Sequence, residues 1–300
     1  MDIALATTSS PYISAWPFTP GSGYGTKYAN PATAADVALG SEFSVDNLAV
    51  AVTIVASPRF HVYGWTEGSG FGTKYANPAT LPTNLGRRVR FSPDGNHIAV
   101  SHFNSPYISA YPWNSTTGMG AKYANPATLP TGTGWGVDFT SNSSDIIVAH
   151  DTAPNLSAYP WSGSGYGTKY ANPATALGGL AYDASFTNAG DAVGVSSTTI
   201  SGITVHAYAF TSGSGFGAKY TSPSSSFTNA QGVNFSPSDA DIVFGHQTTP
   251  FISVYPWDSS TGFGTKYANP ATLPGSYGSG TAWSYTGDDV AVSGQSGTPT

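Results

Sequence analysis

Six lysines recur at one position of a repeated string and are the first residues that could do chemistry. Each follows glycine, an aromatic residue (methionine once), glycine, and threonine or alanine. A glycine-rich string before a lysine can hold a phosphate when it leads into the N-terminus of a helix. Here the fourth residue after every lysine is proline, which indicates the end of a strand instead. We therefore predict lysines that protect the outermost strand of a sheet from edge-to-edge pairing, with docking of an acidic partner as the alternative. These lysines are Lys27, Lys74, Lys122, Lys169, Lys219 and Lys266.

The aromatic residues between the glycines are candidates for binding. Rings flanked by glycine and serine, one in each repeat, could contact a glycan or a protein several times over. The alternative is that each ring packs between neighbouring repeats. The residues are Tyr24, Phe71, Tyr166, Phe216 and Phe263, with Met119 in the remaining copy.

The arginines break the repeat, and three of them are close together. Arg87, Arg88 and Arg90 lie before and within one predicted strand, and other repeats have no counterparts of Arg87 and Arg88. A residue that departs from a repeat is a better candidate for a specific role than one that follows it. Glu42 and Asp138 take the place of Arg90 in the adjoining repeats. This pattern predicts either an ion pair between neighbouring repeats or a charged binding site.

Histidines and serines suggest no further chemistry. His102, His150 and His246 share the last position of one predicted strand, and His61 and His206 share a position in the next. Metal ligands must converge within a few ångströms, whereas equivalent positions of separate repeats stay apart. We therefore predict hydrogen bonds at strand ends, no metal and no cofactor. Because no Gly-x-Ser-x-Gly string precedes a helix and no pair of carboxylates stands out, we predict no catalytic residues and no enzymatic activity.

The elements that position these residues are the strands of a sixfold repeat. The string Lys-Tyr-Ala-Asn-Pro and its one variant recur at spacings of 47, 48, 47, 50 and 47 residues. One copy contains four apolar or alternating stretches, which we name strands a, b, c and d. Four short strands in each repeat are typical of a β-propeller blade. The stretches are Val89–Ser92, Ile98–His102, Tyr107–Tyr111 and Ala121–Asn125.

We predict an all-β fold: a β-propeller of six four-stranded blades, with residues 1–300 as a single domain. Strands a, c and d each occur six times, but strand b occurs seven times, from near Ile3 to Val290. We expect the N- and C-terminal strands to share a blade and close the ring, which leaves one strand b over. A partial ring, or one completed by another chain, is the alternative.

The composition excludes several classes of protein. Charged residues make up 9% of the chain, against about 25% in an ordinary soluble domain, while aromatic residues reach 13%. The net charge of −6 argues against binding to nucleic acid. The absence of cysteine excludes disulfides and zinc–thiolate sites. The N-terminus has no basic region before an apolar run, and no stretch approaches the ~18 apolar residues of a membrane span, so we expect neither a secretion signal nor membrane insertion.

Two strings carry a resemblance to known propellers. Residues 89–100 (Val-Arg-Phe-Ser-Pro-Asp-Gly-Asn-His-Ile-Ala-Val) and 232–237 resemble the core of WD-repeat and YVTN-type propellers, although Pro-Trp stands where WD repeats have Trp-Asp. The second half of each repeat, with Tyr-Pro-Trp and Lys-Tyr-Ala-Asn-Pro, resembles repeat proteins encoded by tailed bacteriophages, marine ones especially. That likeness covers all six repeats.

The resemblance implies a non-enzymatic structural or binding protein displayed on a phage virion, as a capsid decoration or a tail-associated protein. Its expected partners are other virion or surface proteins and glycans, with oligomerisation left open. A lectin-like propeller that binds glycans, and a WD-type scaffold for protein interactions in the cytoplasm or outside the cell, are the alternatives.

Overall fold

The computed structural model describes residues 1–33, 36–200, 202–223 and 227–294. These residues form strands joined by turns, with no α-helix among them, so no helix in these ranges could cross a membrane. The strands in the described ranges are β1 (Asp2–Ala6), β2 (Ile13–Thr19), β3 (Gly23–Tyr24), β4 (Ala38–Phe43), β5 (Ala49–Ile54), β6 (Phe60–Thr66), β7 (Gly70–Lys74), β8 (Gly86–Phe91), β9 (His97–His102), β10 (Ile108–Asn114), β11 (Gly118–Met119), β12 (Gly134–Phe139), β13 (Asp145–His150), β14 (Leu156–Ser162), β15 (Gly165–Tyr166), β16 (Ala181–Phe186), β17 (Ala192–Ile200), β18 (Ile203–Thr211), β19 (Gly215–Lys219), β20 (Ala230–Phe235), β21 (Asp241–His246), β22 (Ile252–Asp258), β23 (Gly262–Phe263), β24 (Gly278–Trp283) and β25 (Val290–Gly294).

The chain divides into two compact units. The first, residues 1–125 with 163–165, holds blade 1 (β1–β3), blade 2 (β4–β7) and blade 3 (β8–β11). The second, residues 126–162 and from 166 onward, holds blade 4 (β12–β15), blade 5 (β16–β19), blade 6 (β20–β23) and the pair β24–β25. The sheets are antiparallel, and each four-stranded sheet runs in the order a, b, c, d. Within each unit, strand a of one blade packs against strand a of the next, as β4 does on β8 and β16 on β20.

The predicted all-β fold, a six-blade β-propeller, is confirmed. Five blades have all four strands, blade 1 supplies strands b, c and d, and the pair β24–β25 supplies strands a and b. The sequence contains seven strands b for six blades, and the two at the chain ends are both hydrogen-bonded, β1 to β2 and β25 to β24. Closure of the ring by a shared blade stays a prediction, and so does the single domain.

The core follows strand b. Every residue of β5, β9 and β13 is buried, which is why these strands have continuous apolar runs instead of alternating ones. Tyr111 and Trp113 of β10 pack against blade 2, with ring centroids 5.6 Å from Phe60 and 5.0 Å from Tyr75. The aromatic residues of strand c therefore join neighbouring blades.

Strand a begins earlier than the sequence indicated. We predicted Arg87 and Arg88 in the loop before it, but β8 starts at Gly86 and includes both. The pairing with β9 shifts register between Gly86 and Arg88. Such a bulge accommodates one extra residue and hides the alternation by which a strand is recognised.

Strand d lies three residues before its predicted position. In blade 3 it is β11, Gly118–Met119, and not Ala121–Asn125. Gly120 N donates to Pro112 O over 2.9 Å. Two directly opposed residues of antiparallel strands normally exchange two hydrogen bonds. Because proline has no N–H, Pro112 cannot donate the second bond, and the strand ends there. Blades 2 and 5 have Gly64 and Ala209 in place of this proline, and only their strands d, β7 and β19, continue to the lysine among the described blades.

The two residue types at this position are expected to set the length of strand d. Changing Pro112 to alanine should lengthen β11 towards Lys122, because the missing N–H is restored, and Gly64→Pro should shorten β7 to two residues. Crystal structures of both variants, or amide hydrogen exchange at residues 120–122 and 72–74, would check this. An unchanged β7 in the Gly64→Pro variant would contradict the explanation.

Candidate functional site

The repeated lysines are engaged by their own loops. The ammonium group of Lys74 donates to Asn77 Oδ1 over 2.7 Å, and that of Lys266 donates to Asn269 Oδ1 over 2.6 Å. Lys27, Lys122 and Lys169 bind the asparagine three residues later in the same way. Lys219, which has serine there, lies 5.7 Å from the centroid of the Tyr208 ring. Lys74 and Lys219 are the last residues of β7 and β19, so their predicted position on strand d is right. The strands d of the other four blades end before the lysine, so the prediction is wrong for Lys27, Lys122, Lys169 and Lys266.

The glycines of the same string make room for neighbouring blades. Gly70 has a φ of +88°, which favours glycine, and a Cβ there would lie 2.9 Å from Cβ of Tyr28 in blade 1. Gly215 stands against Tyr170 of blade 4 in the same way. The glycine-rich string is thus explained by the packing of blades, without a phosphate.

The aromatic residues of the string contact the strand-c rings of their own blade. The Phe71 ring lies edge-on to Trp65, at 5.1 Å between centroids, and 5.8 Å from Tyr63. Phe71 also packs against a buried cluster that blades 1 and 2 share, which agrees with the alternative that these rings pack between neighbouring blades. Tyr24, with 49% of its surface exposed, is the most accessible. Equivalent contacts join Tyr24 to Phe18, Tyr166 to Trp161, Phe216 to Phe210 and Phe263 to Trp257.

Four of the five histidines named above form hydrogen bonds at strand ends, as predicted, whereas His61 Nδ1 lies 2.9 Å from the Tyr63 hydroxyl oxygen of its own strand. Nε2 of His102, His150 and His246 lies 3.0 Å from the hydroxyl oxygen of a strand-c serine in each case. In blade 5 the pair is reversed, with His206 on strand c and Ser197 on strand b, 3.2 Å apart. Among the described residues, no group of three acidic or histidine side chains could hold a metal ion.

The serine partners were missed by the sequence reasoning. A serine seven residues after each strand-b histidine was the available signal, and the partners are Ser109, Ser157 and Ser253.

An ion pair joins the strands a of blades 2 and 3. Arg90 Nη1 lies 3.4 Å from Glu42 Oε1, and each side chain keeps about a quarter of its surface exposed, 23% and 24%. Glu42 Oε2 also accepts a hydrogen bond from Phe91 N over 3.3 Å. The predicted ion pair between neighbouring repeats is therefore confirmed. It holds a carboxylate and a guanidinium side by side, both only partly exposed to solvent.

The other contacts of this position show what is particular to Glu42. Asp138 Oδ2 accepts a hydrogen bond from Phe186 N over 2.8 Å, which joins blades 4 and 5. Asn234 Nδ2 donates to Thr281 O over 2.7 Å. Glu42, Asp138 and Asn234 thus each bind the next strand a, and Glu42 differs from the other two in having an arginine partner.

The other two arginines have different surroundings. The Arg87 guanidinium lies 5.7 Å from the centroid of the Phe103 ring. Cδ of Arg88 lies beside Gly40 of β4, on the blade that carries Glu42. Arg88 and Arg90 therefore both reach blade 2, and together with Glu42 they form a cluster that we call the arginine cluster.

Comparisons with known proteins identify the fold. No protein-family model and no curated protein matches the chain. The structure is similar to a candidate 6-phosphogluconolactonase of Bacteroides uniformis, with a TM-score of 0.74 and 13% identity over 98% of this chain and 88% of that one. The periplasmic gluconolactonase of Pseudomonas aeruginosa gives 0.64 and 18% over 87% and 79%. Hydrazine synthase of Kuenenia stuttgartiensis gives 0.72 and 11% over 97% and 89%. At these identities the likeness shows the fold alone.

The functional prediction needs correction. We expected a non-enzymatic propeller displayed on a phage virion, with a glycan-binding propeller and a protein scaffold as alternatives, but these similar structures carry the names of enzymes. The strings behind that expectation form turns, lysine–asparagine hydrogen bonds and ring contacts, which are features of the fold.

Proposed function

We propose that this chain is a lactone hydrolase whose site is the arginine cluster of blades 2 and 3. The observation that carries the proposal is the partly exposed ion pair between Glu42 and Arg90. It supplies a carboxylate that can accept a proton and a cation that can face a developing negative charge. Support comes from two similar structures that are named as lactonases. We also propose that the chain is related to YVTN-type propellers, which residues 89–100 and 232–237 resemble.

Hydrolysis of a lactone needs only these two kinds of group. Glu42 would take a proton from a water molecule while the water oxygen attacks the lactone carbonyl carbon. The carbonyl oxygen becomes an oxyanion, which the Arg90 guanidinium would stabilise. The ring C–O bond then breaks, and the departing oxygen receives the proton from Glu42. The product is the open hydroxy acid, and no cofactor takes part.

Arg88 would select the substrate. An arginine binds phosphate or carboxylate groups through paired N–H donors, and Arg88 lies on the same strand as Arg90 and beside the same neighbouring blade. A sugar lactone that carries a phosphate would therefore bind more tightly than the unphosphorylated lactone.

The assay is hydrolysis of gluconolactone and 6-phosphogluconolactone by the purified full chain, corrected for the reaction in buffer alone. The variant Arg88→Ala is expected to raise KM for the phosphorylated lactone about tenfold or more, with little effect on KM for the other. Arg87→Ala removes the same charge beside Phe103 and is the matched control. Hydrolysis of both lactones at the buffer rate would overturn the proposed function.

A further inference from the structure

Lys219 of blade 5 differs from the other repeated lysines in its hydrogen bonds. Each of the other five donates to the side-chain oxygen of an asparagine three residues later. In blade 5 that residue is Ser222, whose hydroxyl oxygen lies 3.4 Å from His206 Nδ1. Among the residues that the structure describes, none accepts a hydrogen bond from the Lys219 ammonium group. This departure from the repeat removes the acceptor that fixes the other lysines.

The surroundings of Lys219 stabilise its charge only weakly. It is the last residue of β19 and stands opposite Tyr208 of strand c. Its ammonium group lies 5.7 Å from the centroid of the Tyr208 ring, close to the ~6 Å limit of a cation–π contact. The neighbouring His206 is neutral at pH 7, because burial lowers its pKa to about 3. Burial also lowers the pKa of Lys219, while the side chain remains partly exposed to solvent.

Lys169 of blade 4 shows what the missing acceptor changes. Both lysines are partly exposed, and burial lowers the pKa of both. Lys169 also donates to Asn172 Oδ1, and a hydrogen bond to the charged form of a group favours that form. Only the neutral amine is a nucleophile. Lys219, which lacks the bond, is therefore expected to be the more nucleophilic of the two.

We propose that Lys219 is a site of covalent acylation by activated esters, with sugar lactones as the class of reagent. The lone pair of the neutral amine attacks the lactone carbonyl carbon. The ring C–O bond breaks, and the released oxygen takes a proton from the nitrogen. The products are an amide on Lys219 and a free hydroxyl group, so no further reactant is needed. The proposal does not depend on hydrolysis at the arginine cluster, because the nucleophile is the amine and not water.

The test treats the full chain with gluconolactone and measures the acylated fraction of each repeated lysine over time by peptide mass spectrometry. Lys219 is expected to react about fivefold or more faster than Lys169, as for loss of one hydrogen bond. Both lysines belong to the same molecule, so hydrolysis of the lactone by water or by the chain lowers the reagent concentration equally for both.

Two reciprocal variants test the cause of the difference. Ser222→Asn supplies the missing acceptor and should lower the rate at Lys219 to that of Lys169. Asn172→Ser removes the acceptor of Lys169 and should raise its rate towards that of Lys219. Equal rates at the two lysines of the unsubstituted chain would overturn the proposal, and so would rates that neither variant changes. Lactone hydrolysis at the buffer rate would overturn the proposed function alone, because the acylation ratio is measured separately.

Discussion

Replacing Glu42 with glutamine is expected to lower kcat for lactone hydrolysis about 10²–10⁴-fold, the range for loss of a general base. Glutamine keeps the length of the side chain, and its amide oxygen can still accept the bond from Phe91 N that Glu42 makes over 3.3 Å. It cannot take a proton from water. The loss should therefore appear in kcat, with KM little changed.

Asp138→Asn is the matched control for Glu42→Gln. Asp138 accepts the equivalent bond from Phe186 N at 2.8 Å, so its replacement tests the structural role of the position on another pair of blades. We expect Asp138→Asn to leave lactone hydrolysis unchanged. Equal losses in both variants, with equally lowered unfolding temperatures, would mean that the carboxylates only join blades and that Glu42 is not the base.

The repeat predicted the architecture because the residues that define it, proline and glycine above all, act on the backbone where they stand. Proline and glycine set turns and strand ends wherever they occur, so six similar strings predict six similar blades. The boundaries of strands a and d depended on pairing across strands. The bulge at Gly86 and the missing N–H of Pro112 act on partners that a single repeat does not display.

The tyrosine of the repeated Lys-Tyr-Ala-Asn-Pro string has different hydrogen-bond acceptors in different blades, which the sequence does not reveal. Tyr170 donates to Asp145 Oδ1, over 2.6 Å, at the start of strand b in its own blade. Blade 2 starts strand b with Ala49, which offers no acceptor, so Tyr75 donates to Ser115 O of blade 3 instead. The repeated string contains the same tyrosine in both places, and only the fold reveals which oxygen lies within reach.

Part of the candidate site, the pairing of Glu42 with Arg90, could be predicted from the sequence. Glu42 and Arg90 were recognised as neighbours in register because the repeat aligns equivalent positions of successive blades. The contact of Arg88 with Gly40 was not, because the bulge between Gly86 and Arg88 shifts the pairing of strand a. Charge and spacing therefore identify contacts between equivalent positions, whereas contacts beside a bulge depend on pairing that the repeat does not display.

Lowering the pH from about 6.5 to 4 is expected to destabilise the protein strongly. Burial lowers the pKa of His61, His102, His150 and His246 to about 4 and that of His206 to about 3. The unfolded chain takes up a proton at each histidine near pH 6.5, whereas the folded chain holds these rings neutral to a lower pH. Their contribution to stability is therefore complete above pH 6.5 and is lost as the pH falls through the folded pKa values.

The loss should be large because the five rings titrate together. A difference of about 2.5 pKa units corresponds to about 3 kcal/mol for one histidine. Several such losses are comparable with the 5–15 kcal/mol that stabilises an ordinary folded protein. We therefore expect unfolding within this pH window, before protonation of most carboxylates can contribute.

Urea unfolding at pH 7, 6 and 5, followed by tryptophan fluorescence, would measure the effect as a falling free energy of unfolding. The slope of that free energy against pH gives the number of protons taken up on unfolding. His150→Gln should reduce this number by one, and His102→Gln should do the same if the first variant does not fold. Free energies that are equal at pH 7 and pH 5 would contradict the prediction. They would mean that the histidine–serine pairs accept protons while folded, which the 3.0 Å bonds to Ser109, Ser157 and Ser253 in a buried environment make unfavourable.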